Sequence, residues 1–286
     1  MNAPTIQFST PSGRYEFPNR WERLSPELFL FLCSLLDKYS KGELSFRELH
    51  IAYVCSALQL DPEKIKGSSA YENIYLLSDQ VDFIFAKDNK LNACFLEQLI
   101  PELCIRKKYK KIKYKGYTIN KAHNTLTCSL TALQFIEAYG LIGCQEEKLP
   151  LLAAILYHPG QYTSESAHAL SEKFSRVDPV TLNAIALNFS SFVNFLFTRT
   201  DFRLLHSRES GEKKNITTSM ADGLYNLSAD GLGDAEKIEQ LPVLKYLSIL
   251  RKKLIESVRA MHVAEMDLTD IEVQTGLSIK TIKQII

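Results

Sequence analysis

Asp178-Pro179 opens the segment that most constrains this chain. An acidic cap with proline in the first turn starts a helix, and Leu182, Ile185, Leu187, Phe189, Phe192, Val193, Leu196 and Phe197 then spread apolar side chains around most of it. A helix apolar on most sides has no face to offer water, so other elements must surround it. The rest of the chain supplies them. Ser25-Pro26-Glu27 combines a hydroxyl cap, a first-turn proline and an early acid, ahead of Leu28, Leu32, Leu35 and Leu36 on one face. Gly42 ends that unit, and Ser45 with Glu48 forms a capping box before Leu49, Tyr53 and Leu58. Together they read as a helical hairpin. Spacings of three and four predict a further helix from about Ser69 to Phe85 and a shorter one from Ala93 to Ile100. Others are expected from near Thr127 to Tyr139, over Leu149 to Tyr157, Ser164 to Phe174 and Leu241 to Val263, then two short ones, Leu268 to Thr275 and Ser278 to Ile286.

Apolar residues make up 45% of the 286, enough to fill a large core. Lys plus Arg (34) nearly cancels Asp plus Glu (33), so an electrostatic partner must be met by a local patch. Cys33, Cys55, Cys94, Cys104, Cys128 and Cys144 show no two-residue pair of the zinc-knuckle or redox kind. They read as packing thiols in a reducing compartment. Met1 to Tyr15 lacks a charged start followed by an apolar run, and Leu28 to Leu36 and Leu149 to Tyr157 are about half the ~20 residues of a membrane helix. A cytoplasmic location and no membrane partner are expected.

Arg106 to Lys115 holds seven cations and no acid, with Tyr109, Ile112 and Tyr114 between them and Gly116 at the end. The alternation Lys111-Ile112-Lys113-Tyr114-Lys115 favours a short hairpin or edge strand over a helix. Two readings stand. Lysines commonly keep an edge strand from pairing with other chains, and this reading comes first. Cations interleaved with aromatics also suit base stacking or an acidic partner, with Arg106, Lys107, Lys108, Tyr109, Lys110, Lys111, Lys113, Tyr114 and Lys115 as the contacts.

The segment Leu268 to Ile285 resembles a helix-turn-helix, with Gly276 at the turn and Ile271, Leu277, Ile282 and Ile285 in the crossing. If it reads DNA, Ser278, Lys280, Thr281 and Lys283 face the groove or the phosphates. Glu272 stands where that family places a small residue, and Asp267, Asp270 and Glu272 offset the two lysines. A packed structural terminus is the preferred reading of the pair.

His50, His123, His158, His168, His206 and His262 are scattered singly, and the glycines form no phosphate-cradling loop. No catalytic, cofactor-binding or metal-ligating residue is therefore expected, and no cofactor, although a site assembled from distant residues escapes a search of this kind.

Trp21 to Phe29 (WERLSPELF), Leu133 to Tyr139 (LQFIEAY) and Leu151 to Pro159 (LLAAILYHP) together resemble bacteriophage and prophage proteins encoded in virion-assembly modules, some of them similar to tail assembly chaperones. The resemblance spans about Trp21 to His206. It implies a helical adaptor for other virion proteins, located in the host cytoplasm or in the virion, covering the apolar stripe of a long helix by helix-in-groove packing.

The expected fold is mainly α: a flexible arm over 1–20, a multi-helix bundle-like body over 21–208 with a basic hairpin or loop at 105–120, a linker over 209–220, and a C-terminal helical subdomain over 221–286. The expected function is that of a non-enzymatic phage assembly or interaction protein with other virion proteins as partners. DNA binding through the terminal helix pair is the alternative.

Overall fold

The computed structural model describes residues 4–11, 13–61, 67–107, 110–206, 220–229, 231 and 233–286. The expected mainly α, bundle-like body with one basic insertion is corrected. The fold is mixed α/β and mainly helical, with 57% helix and 13% strand, the strands forming three separate two-stranded antiparallel sheets.

The first sheet replaces the expected flexible arm. Strands β1 (Thr5–Thr10) and β2 (Gly13–Pro18) pair with Ile6 opposite Phe17 and Phe8 opposite Tyr15. Apolar residues at every second position give this hairpin one greasy face. Phe17, 1% exposed, meets the Tyr53 ring at 6.3 Å, and the Tyr53 hydroxyl donates to the Pro18 carbonyl at 2.6 Å. Helices α1 (Pro26–Ser40) and α2 (Phe46–Ala57) follow, capped by Ser25 and by the reciprocal Ser45 and Glu48 box. Helix α3 (Ser68–Asp79) stops short of Phe85, and 81–100 runs without helix where helix was expected to Phe85 and again from Ala93.

Tertiary bonds explain that irregular stretch. Trp21 Nε1–H donates to the Phe83 carbonyl at 3.1 Å. Asn188 accepts from the Leu96 amide at 2.7 Å and donates to the Leu96 carbonyl at 3.1 Å. A backbone held by such partners does not need helical hydrogen bonds.

Strands β3 (Glu102–Lys107) and β4 (Lys110–Lys115) form the second sheet, and β5 (Ile119–Ala122) with β6 (Thr125–Cys128) the third. The last hairpin turns through His123 and Asn124 at φ 50° and 62°, the positive pair of a two-residue I′ turn. Helices α4 (Ala132–Gly140), α5 (Leu149–Leu156), α6 (Ser164–Phe174) and α7 (Pro179–Arg199) complete the central region.

Helix α7 joins two cores. Its Ala184 packs into the N-terminal cluster with Trp21, Phe29, Leu49 and Phe83, whereas Phe189, Phe192 and Leu196 pack with Phe135, Ile155 and Phe174. By length and composition α7 could cross a membrane, and 56% of its most apolar window is buried in this body.

The polar linker expected at 209–220 lies almost wholly outside the described residues. Beyond it come α8 (Met220–Ala229), α9 (Ala235–Glu239), α10 (Val243–Val263), α11 (Leu268–Thr275) and α12 (Ile279–Ile285). The core does not break at 221, because Leu224, Leu227, Ile238, Tyr246 and Leu247 share the cluster of Phe135 and Phe189. Only Val258, Ile271, Leu277 and Ile282 make a separate terminal core.

Candidate interaction surface

Helix α3 buries Ile74 and Leu77 and turns Tyr71 (55% exposed), Tyr75 (46%) and Leu76 (60%) outward. Arg47 on α2 lies 4.1 Å over the Tyr75 ring and pairs with Asp79. Beside it Phe46 is 47% exposed, its ring 4.3 Å from His50 and 5.6 Å from Phe85. Isolated exposed apolar residues are ordinary, but a group of large ones on one pair of helices marks a contact surface. The residues are helical neighbours three to five apart. Their spacing was not read as a surface because only one face of an amphipathic helix was sought.

The basic hairpin separates its residues by face. Leu103, Ile105 and Tyr114 are buried, and Tyr114 packs its ring 5.2 Å from Phe174. Tyr114 is thus corrected from a stacking contact to a core residue, since alternation puts it on the inner side of the sheet. Lys111, Lys113 and Lys115 face solvent, with Lys113 Nζ 2.7 Å from Glu102. Arg106, Lys107 and Lys110 lie on β3 and β4 by their backbone, and Lys108 and Tyr109 lie outside the described residues. This arrangement has the form of a lysine-lined edge over an apolar inner face.

In the terminal pair, Gly276 closes α11 in the left-handed region at φ 71°, and Ile271 and Ile282 are fully buried between the helices. Ser278 caps α12 through the Thr281 amide, with the two hydroxyls 2.9 Å apart, while Lys280 and Lys283 are exposed. Glu272 accepts from the Ile279 amide at 3.2 Å. Its carboxylate therefore occupies the positive end of the helix that would enter a DNA groove, where a phosphate would be repelled.

Chain folding also assembles contacts that the sequence did not suggest. Nε2 of His158 lies 2.7 Å from Ser166 Oγ, a distance that a nucleophile and its base would share. The serine proton, however, is donated to the Thr163 carbonyl at 2.8 Å, and Nδ1 of the imidazole has no partner. The ring then donates from Nε2, which is the wrong tautomer for a base, and the pair acts as a clasp on the Pro159-Gly160 loop. Tyr162 and Ser164 both donate to Glu137 beside it. A cavity of about 190 Å³ lies between the two cores, lined among others by Tyr117, Tyr157, Lys115 and Asn188. It is below the ~300–1,000 Å³ of cofactor and substrate pockets. Tyr117 Oη is buried without a hydrogen-bond partner, a gap that ordered water would fill. Among the described residues no group of three or more His, Cys, Asp or Glu is placed to hold a metal ion.

Burial lowers the pKa of both His50 and His158, with Arg47 adding to the effect at His50. Protons then favour the unfolded chain, so the stability these rings contribute is present above ~6.5 and is lost as pH falls through that value. Urea midpoints measured at successive pH values from neutral to mildly acidic should decline. The double variant His50→Asn, His158→Asn should flatten that decline.

Comparison with protein-family models, curated proteins and solved structures finds no match for this chain, so these surfaces are read from their own geometry.

Proposed function

We propose that this chain is a non-enzymatic assembly or interaction protein of a bacteriophage or prophage, an adaptor that docks other virion proteins in the manner of a tail assembly chaperone. The exposed group Tyr71, Tyr75 and Leu76, next to Phe46, carries the reading. Tyrosine and leucine on a rigid helix offer contact area at low conformational cost, which suits burial against the apolar stripe of a partner helix.

Groove reading of DNA by Ser278, Lys280, Thr281 and Lys283 is the weaker proposal, because Glu272 sits at the start of α12. Salt separates the two. Apolar docking should hold between roughly 50 and 200 mM salt, where DNA affinity falls steeply by counterion release.

The test co-expresses the full chain with the products of its neighbouring genes and measures affinity for whichever co-purifies. Tyr71→Ser with Leu76→Ser should weaken binding about tenfold or more, ~1.4 kcal/mol, with folding unchanged because both side chains are exposed. Binding that ignores this double variant, or that vanishes at the higher salt, would remove the reading.

A further inference from the structure

The three hairpins leave free edges that are guarded unequally. In an antiparallel pair, residues alternate between those that exchange backbone hydrogen bonds and those that aim N–H and C=O outward. The Asn19 amide donates to the Pro4 carbonyl at 2.9 Å, which places the bonded pairs of the first hairpin at Ile6 with Phe17, Phe8 with Tyr15 and Thr10 with Gly13. Thr5, Gln7 and Ser9 therefore point their backbone groups away from β2. No backbone partner for these groups occurs among the described residues.

Edges elsewhere are blocked. On β2 the outward residues are Arg14, Glu16 and Pro18; Pro18 has no N–H, and its carbonyl is taken by Tyr53. On β4 they are Lys111, Lys113 and Lys115. Strand β1, TIQFST, contains no charge and no proline, the two devices that usually protect an edge.

A groove of about 570 Å³ runs beside this edge. Thr5, Ile6 and Gln7 line one side of it. Gln80 and Asp82, just past α3, line the other, and Asn19 ties the two together by donating to Asp82 at 3.1 Å. From Pro4 to Gln7 the edge extends about 10 Å at ~3.3 Å per residue. Asp82 is the one charged residue of the lining, so the groove is complementary to a cation. A second copy of β1 would bring its own β2 about 4.8 Å further out, against the side formed by Gln80 and Asp82. A lone strand has no such neighbour.

We infer that the free edge of β1 and the groove beside it receive an extended segment of a partner protein by strand addition, with a lysine or arginine of that segment opposite Asp82. This rests on the reading of the chain as an interaction protein and adds a second docking surface at the end of α3.

The probe is a cell-displayed library of random short peptides selected against the full chain. Enriched peptides should carry alternating apolar residues and a cation. Their binding should drop about tenfold or more in Gln7→Pro, which removes an outward N–H while sparing the bonded pairs of the hairpin, and less in Asp82→Asn. Should Gln7→Pro unfold, the same peptides methylated at alternate backbone nitrogens are tested on the unaltered protein and should lose binding. Slowed amide exchange at Thr5, Gln7 and Ser9 would add support. Failure to enrich any peptide, or binding indifferent to Gln7→Pro and to methylation, overturns the inference. So does a dimer that Gln7→Pro converts to monomer. Peptides that survive Gln7→Pro but are lost with Tyr71→Ser and Leu76→Ser would overturn strand addition and leave the adaptor reading standing.

Discussion

Trp21→Ala should destabilise the protein by about 3–5 kcal/mol, the range for removing a large aromatic from a packed core. Trp21 is 2% exposed and packs edge-on against Phe29 at 5.4 Å and Phe83 at 5.7 Å. Its indole also bonds the Phe83 carbonyl at 3.1 Å, which holds a stretch that has no helix or sheet partner of its own. Deleting the ring opens a void and frees that carbonyl at once. Trp21→Phe fills most of the void but cannot bond the carbonyl, so its smaller loss isolates the hydrogen bond, about 1 kcal/mol. Circular dichroism during urea unfolding provides the measurement, since this is the sole tryptophan and its fluorescence disappears with it. Loss below about 1 kcal/mol in Trp21→Ala would mean that the N-terminal core is not packed as described.

The second large effect is expected at Asn188, 4% exposed in the middle of α7. Both halves of its amide are used, accepting from Leu96 N–H and donating to Leu96 C=O. Asn188→Ala leaves two backbone groups with no partner, at ~1–3 kcal/mol each, so a total loss of about 2–5 kcal/mol is expected from urea titration. Asn188→Asp keeps the acceptor and loses the donor, and it also buries a charge against a carbonyl. It should therefore be no better than alanine at neutral pH. A variant with near-native stability would show that Leu96 finds other partners.

These two residues also show where sequence reading stops. Helix ends were readable because caps are local: Ser25, Ser45 with Glu48, and Asp178 with Pro179 each act on amides within three residues. The long apolar run from Leu182 to Phe197 was readable as a surrounded helix for the same reason, since its periodicity lies within one element. Helix expected from Ala93 to Ile100 had suitable apolar spacing, but Asn188 lies 92 residues from Leu96, and no local pattern reports such a bond. Two hairpins were missed because their strands have only four to six residues, and His123-Asn124 is a less familiar I′ turn than Asn-Gly. Of the candidate contacts, the lysines of β4 could be placed by alternation alone, whereas the burial of Tyr114 required knowing that Phe174 lies beneath the sheet.

By itself the sequence determined where most helices begin, which of their faces are apolar, and that the long central one must be enclosed, because these properties depend on neighbours a few residues apart. Tertiary structure decided that β1 keeps an open edge beside Asp82, that α7 joins two cores, and that Glu272 guards the start of α12. Each of those outcomes is set by groups that meet only after the chain has folded back on itself.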